Sequence, residues 1–264
     1  MDLQLAGDVA VVVGGARGLG RVIAAAFVAE GARVAIVDRD PDCSAAAHEI
    51  QAALGVVADV TDYEAMKGAA DAARRDFGRC DHVVFAAAVG SGKFGFPFWS
   101  LEPGDWGRVL RVNLVGAANV AHAFAPPMAE AGAGSLLFIA SVAGQIGSQT
   151  DPPYSASKAG LINFAQCAAK DLAPYGVRVN ALCPGMVKTA LSRSVYEAWA
   201  ARQPGGTAAS YDEWAGDKIK ALVPLGRWQT AEDVADMAVF LASKRAANVT
   251  GQTINVDGGQ VMHW

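Results

Sequence analysis

Tyr154-Ser155-Ala156-Ser157-Lys158 places a phenol and an ammonium at positions i and i+4 of an expected helix, hence on one face and within reach of each other. A tyrosine with a reference pKa of about 10 is a poor base at neutral pH, but a neighbouring cation favours the phenolate and lowers that value. Lys158 is that cation. Ser141 follows an expected strand at the carboxyl edge of a sheet, where its hydroxyl could hold a substrate oxygen as charge develops. Together they could pass a proton to or from a reacting oxygen. Taken alone, a Tyr and a Lys at this spacing also occur as an exposed helix pair worth only a few tenths of a kcal/mol.

A second constellation is Gly14-Gly15-Ala16-Arg17-Gly18-Leu19-Gly20, which follows the first strand directly and opens a helix. Gly14 can take the unusual dihedrals of the turn, Gly18 lets a pyrophosphate approach the main chain, and Gly20 lets helix and strand pack closely. The helix N-terminus adds positive dipole. No Gly-Lys-Ser/Thr follows, which excludes a Walker-type phosphate loop. Asp38 ends the second strand, 18 residues beyond Gly20, where a carboxylate can accept hydrogen bonds from adenosine ribose hydroxyls. A 2′-phosphate would meet like charge there, so NAD is favoured over NADP. Arg17 and Arg39, either of which could pair with a phosphate, leave NADP open.

These groups need a scaffold. Short β-branched runs alternate with helical stretches, the pattern of βαβ units and a parallel sheet covered on both faces. The expected strands are residues 9–13, 33–37, 55–58, 82–85, 136–140, 177–182 and 253–256. The expected helices are 18–30, 62–77, 109–129, 154–173 and 231–241. No composition shift, linker or repeat divides the chain, so residues 1–264 read as one domain. Residues 188–228 break the rhythm, with Gly205-Gly206, three tryptophans and mixed charge, and read as a substrate lid or mobile loop.

Composition narrows the partners. With 52% apolar and 18% charged residues, the chain can bury a sizeable core. A net charge of −4 offers no basic stripe, so neither nucleic acid nor a membrane surface is an expected partner. Met1-Asp2-Leu3-Gln4 lacks the basic start of a secretory signal, and no apolar run approaches a spanning helix. Cys43, Cys80, Cys167 and Cys183 are scattered and fit buried thiols in a reducing cytoplasm. His48, His82, His122 and His263 show no ligand spacing, so no metal site is expected.

Nearly the whole chain resembles the short-chain dehydrogenase/reductase family. The resemblance rests on the glycine turn, Asp59-Val60, Asn113, Ser141, Tyr154-x-x-x-Lys158, Pro184-Gly185 and Asp257-Gly258-Gly259. It implies a single α/β, doubly wound Rossmann-type domain whose seven-stranded parallel sheet has the order 3-2-1-4-5-6-7, with helices on both faces. It also implies interconversion of a secondary alcohol and a ketone by hydride transfer, with Tyr154 as general acid/base. Lys158 would lower the tyrosine pKa and bind the nicotinamide ribose, Ser141 would position the substrate oxygen, and Asn113 would support a water-linked proton path to Lys158. Asp59 and Val60 would flank the adenine, and Thr189 would approach the nicotinamide carboxamide. Further cofactor contacts are implied at Leu19, Ala87, Ala88, Pro184, Gly185 and Val187. The tail Val261-Met262-His263-Trp264 resembles members that assemble as homotetramers, a homodimer being the other assembly.

Two departures stand out. The family's Thr before the glycine motif is Val13, and its Asn-Asn-Ala-Gly is Phe85-Ala86-Ala87-Ala88, an exchange of polar contacts for packing that can be nearly neutral. Substrate is expected to meet residues 90–106, 143–153 and 188–228. Phe94, Phe96, Phe98 and Trp99 read either as a pocket wall or as a self-packed loop. Gln145, Gln149 and Thr150 suit a polyol, a sugar or another small hydroxylated compound, with Gln149 assigned to the substrate. The alternatives are an NADPH-dependent ketoreductase acting on a bulkier aryl or steroid-like carbonyl, and a dinucleotide-binding protein without turnover.

Overall fold

Valine, isoleucine and leucine dominate the central strands, whose residues are nearly all buried because helices cover both faces. The strands are β1 (Val9–Val13), β2 (Arg33–Asp38), β3 (Leu54–Val57), β4 (His82–Phe85), β5 (Gly134–Ile139), β6 (Val177–Pro184) and β7 (Thr253–Val256). All pair in parallel in one seven-stranded sheet of order β3-β2-β1-β4-β5-β6-β7, the order expected. The computed structural model describes residues 1–147, 150–203 and 208–262.

Successive strand residues point to opposite faces, so one set of alternate side chains meets each helical layer. Val11, Val83, Leu136 and Phe138 pack with α3 (Tyr63–Phe77), α5 (Gly116–Ala131) and α6 (Pro152–Leu172). Val12, Ile36, Val84 and Ile139 pack with α1 (Gly18–Ala29), α2 (Cys43–Glu49) and α9 (Ala231–Ala242). Val13 pairs in register with Phe85 in the first of these layers, where the Phe85 ring meets Phe138 edge-on at 6.3 Å. The exchange of polar contacts for packing is realised there.

Three regions differ from expectation. Helix α2 is too short to carry a clear period and is absent from the sequence reading. The helix expected from Val109 begins at Trp106 as α4 (Trp106–Leu110), widens to a π-helical turn over Arg111–Val115, and continues as α5. Residues 188–228, read as an irregular lid, hold α7 (Ala190–Ala200) and α8 (Tyr211–Leu222). Each opens on a capping box, Thr189 with Ser192 and Ser210 with Glu213. Tyr196, Trp199, Tyr211 and Trp214 pack on one another with ring centroids 5.4–6.2 Å apart, which gives this segment its own small core. Gly205-Gly206 lies outside the described residues. The thiols also divide: Cys43 and Cys183 are buried, but Cys167 is exposed on α6, contrary to the expectation of buried cysteines. Among the described residues, no helix is long and apolar enough to cross a membrane.

Candidate active site

Helix α6 starts where it does because Asp151 caps it and Pro152-Pro153 occupy its first turn. The Asp151 carboxylate accepts from the Tyr154 amide at 3.4 Å and from the Ser91 amide at 2.8 Å, so the cap also holds the loop after β4. Across from it, the chain leaving β5 turns as the Ser141 hydroxyl accepts from the Ala143 amide at 3.1 Å. Gly144 then lies directly on α6, since a β-carbon there would stand 2.6 Å from the Lys158 carbonyl carbon. This close approach brings the two halves together. The Tyr154 hydroxyl faces the Ser141 side chain, which favours the phenolate, and the Lys158 ammonium stands 5.6 Å from the Tyr154 ring centroid.

Electrostatics correct one expectation. The phenol sits deep in its cleft, and burial pushes its pKa up to about 12, with the Ser141 side chain opposing and the nearby Asp151 adding to the rise. Burial also pulls Lys158 down to about 8. Its ammonium is directed to the Ile139 carbonyl oxygen at 2.7 Å, so desolvation outweighs the depression that the i, i+4 spacing suggested. Beneath them the Cys183 thiol is pushed up to about 11, again by burial.

Asn113 has a bracing duty in this site. It is fully buried in the π-helical turn, donating to the Val89 carbonyl and the Ser157 hydroxyl at 2.9 Å and accepting from the Val89 amide at 2.8 Å. Its side chain therefore braces the loop after β4 against α6.

A cleft of about 1230 Å³ runs along the carboxyl edge of the sheet, where ligands bind in open α/β folds. It is larger than the ~300–1,000 Å³ of a pocket for one drug-sized molecule. Every residue expected to touch a cofactor lines it: Gly14, Arg17, Gly18, Leu19 and Gly20 from the turn, and Asp38, Arg39, Asp59 and Val60 from the next two strand ends. Ala87 and Ala88 form the middle, with Pro184, Gly185, Val187 and Thr189 near Tyr154 and Lys158. The glycine turn fits a pyrophosphate. Gly14 (φ +86°) would drive a β-carbon to 2.5 Å from the Ala87 amide nitrogen, whereas Gly18 (φ +56°) faces open space. Arg17 at the N-cap of α1 makes no side-chain cap bond, which leaves the first amides to an anion. The Asp38 carboxylate is oriented by the Ala16 and Asp40 amides, each at 3.1 Å. Thr189 lines the cleft with its hydroxyl already accepting from the Ser192 amide at 3.3 Å.

The substrate end differs from the sequence reading. Ile146 and Thr150 line it, while Gln149 lies outside the described residues. Phe94, Phe96, Phe98 and Trp99 do not line the cleft. Short turns at Phe98–Ser100 and Pro103–Asp105 carry Phe98 and Trp99 outward, where they are 68% and 70% exposed and meet each other at 5.2 Å. The wall is instead made by Leu191 and Val195 of α7, Trp214, Lys218 and Leu222 of α8, and Gln260. The i, i+4 recurrence of 191/195 and 214/218/222 is the signal that could have found them.

Known proteins share this architecture. A family model described as enoyl-(acyl carrier protein) reductase matches residues 14–261. The D-threitol dehydrogenase of Mycolicibacterium smegmatis is 35% identical over 263 residues, which cover 98% of this chain and 94% of that protein. The solved structure of a short-chain type dehydrogenase/reductase from Mycobacterium ulcerans aligns with a TM-score of 0.86 at 33% identity, over 97% of this chain and 90% of that one. That of an NAD⁺-bound xylitol dehydrogenase aligns with a TM-score of 0.88 at 29% identity, over 97% of this chain and 100% of that one.

Proposed function

The chain belongs to the short-chain dehydrogenase/reductase family and is an oxidoreductase of the alcohol dehydrogenase type; on that premise we propose that it oxidises a secondary alcohol of a polyol or similar small hydroxylated compound with NAD. The observation that carries the reading is the Tyr154 hydroxyl facing Ser141 inside the cleft, with the Lys158 ammonium 5.6 Å from its ring. Likeness to threitol and xylitol dehydrogenases supports the polyol class. Gln260, whose buried Oε1 accepts no hydrogen bond among the described residues, adds an acceptor suited to a substrate hydroxyl.

Bound NAD would supply the hydride acceptor. The amides of Gly14 to Gly20 and the N-terminus of α1 would hold its pyrophosphate, Asp38 its adenosine ribose, Asp59 and Val60 the adenine, and Lys158 the second ribose. Ser141 would orient the substrate oxygen, and Tyr154 would exchange a proton directly with that oxygen once it lies within hydrogen-bond reach of the phenol. With its pKa near 12, the phenol rests protonated, ready to donate in the reducing direction. Oxidation needs the phenolate, so filling the cleft must offset the rise that burial imposes. Arg17 and Arg39 beside Asp38 favour a second reading, reduction of a ketone with NADPH.

The test is NADH or NADPH absorbance with threitol, xylitol, sorbitol, aryl alcohols and 3-ketoacyl thioesters. Oxidation of a polyol with NAD⁺ is expected. Exclusive reduction of a thioester or aryl ketone with NADPH would overturn it.

A further inference from the structure

Resting on the polyol reading, we infer that the natural substrate carries an anionic group, a phosphate or a carboxylate, and that Lys218 of α8 holds it at the substrate end of the cleft.

The lysines lining the cleft among the described residues are Lys158, Lys188 and Lys218. Lys158 donates to the Ile139 carbonyl, and Lys188 pairs with Asp212 at 2.8 Å. Lys218 has neither a hydrogen bond nor an ion pair among the described residues. Its ammonium rests on the Trp214 ring, 4.3 Å from the centroid. The guanidinium of Arg108, which also lines the cleft, is engaged too, donating to the Gly90 carbonyl at 2.7 Å. Among the described residues, the carboxylates lining the cleft are Asp38 and Asp59, both at the end formed by β2 and β3. On α8 itself, Glu213 is tied to Ser210, and Asp217 is exposed and adjacent in sequence, hence on another face.

A half-buried cation without an anion is unfavourable, and burial accordingly lowers the Lys218 pKa. The indole face offsets part of that. Tyr196, Trp199 and Tyr211 pack on Trp214 with centroids 5.5–6.2 Å away, so the indole that carries the ammonium is fixed, and little ordering is needed when an anion arrives.

The experiment measures kcat/KM with NAD⁺ for sorbitol, sorbitol 6-phosphate and gluconate in the wild type, Lys218→Met and Lys218→Arg. At least one anionic compound should exceed sorbitol by about tenfold or more. Lys218→Met should abolish that advantage and Lys218→Arg should keep most of it. Which anion loses its advantage distinguishes phosphate from carboxylate. Equal use of all three by the wild type, an equal fall for all three in Lys218→Met, or weakened NAD⁺ binding in that variant overturns the inference. If none is oxidised, the polyol reading fails, and calorimetry with the same compounds still decides on Lys218. Binding of an anionic compound by the wild type and not by Lys218→Met sustains it, and indifference to the substitution ends it.

Discussion

Lys158 donates its ammonium to the Ile139 carbonyl oxygen at 2.7 Å, tying α6 to the last residue of β5 in a fully enclosed setting. That enclosure sets a pH dependence of stability. The folded-state pKa of about 8 lies below the usual 10.5, so between these values the native chain binds fewer protons than the unfolded one. Stability then rises with pH across that window. Relative to Lys158→Met, the wild type should gain on the order of 3 kcal/mol between pH 8 and 10.5, where Met does not titrate. Denaturant unfolding of both proteins through that range checks this, and a pH-independent difference would refute the enclosed cation.

Tyr154→Phe removes the proton-carrying hydroxyl and leaves the ring. Turnover should fall by about 10²–10⁴-fold. Stability should change by no more than about 1 kcal/mol, since the ring and its packing are kept and one polar contact at most is lost. Steady-state kinetics beside thermal unfolding separate the two effects, and a variant that keeps turnover would remove the tyrosine from the chemistry.

Asp38→Ser deletes the carboxylate at the adenosine end of the cleft. The ratio of NADP⁺ to NAD⁺ affinity should rise about tenfold or more, since Arg17 and Arg39 then face a 2′-phosphate without opposition. Fluorescence titration with both cofactors measures it. An unchanged ratio would place cofactor choice elsewhere.

Gly18→Ala and Gly20→Ala should fail differently. A β-carbon on Gly20 would stand 2.1 Å from the Gly14 carbonyl oxygen, backbone against backbone, so the damage falls on folding. Gly18 has open space and a φ of +56°, so alanine costs about 1–2 kcal/mol of strain and puts a methyl where a pyrophosphate would approach. Melting temperature should fall further in Gly20→Ala, and cofactor affinity should dominate the loss in Gly18→Ala.

Much of this molecule is readable along the chain because the signals are local. Valine runs such as 9–13 mark strands buried on both faces, the glycine turn is a contiguous string, and Tyr154 and Lys158 share a helix face by spacing alone. Helices α7 and α8 carried readable caps at Thr189 and Ser210 and a helical recurrence at 191/195 and 214/218/222, but Gly205-Gly206 and the mixed charge of the segment drew the reading toward a loop. The tertiary structure decided what depends on distant neighbours. Burial raises the Tyr154 pKa despite the ammonium one turn away, because desolvation is imposed by the whole cleft and not by the helix. Phe98 and Trp99 turn outward, and Lys218 faces a wall without carboxylates among the described residues, for the same reason: which charges and surfaces meet is settled by elements far apart in sequence.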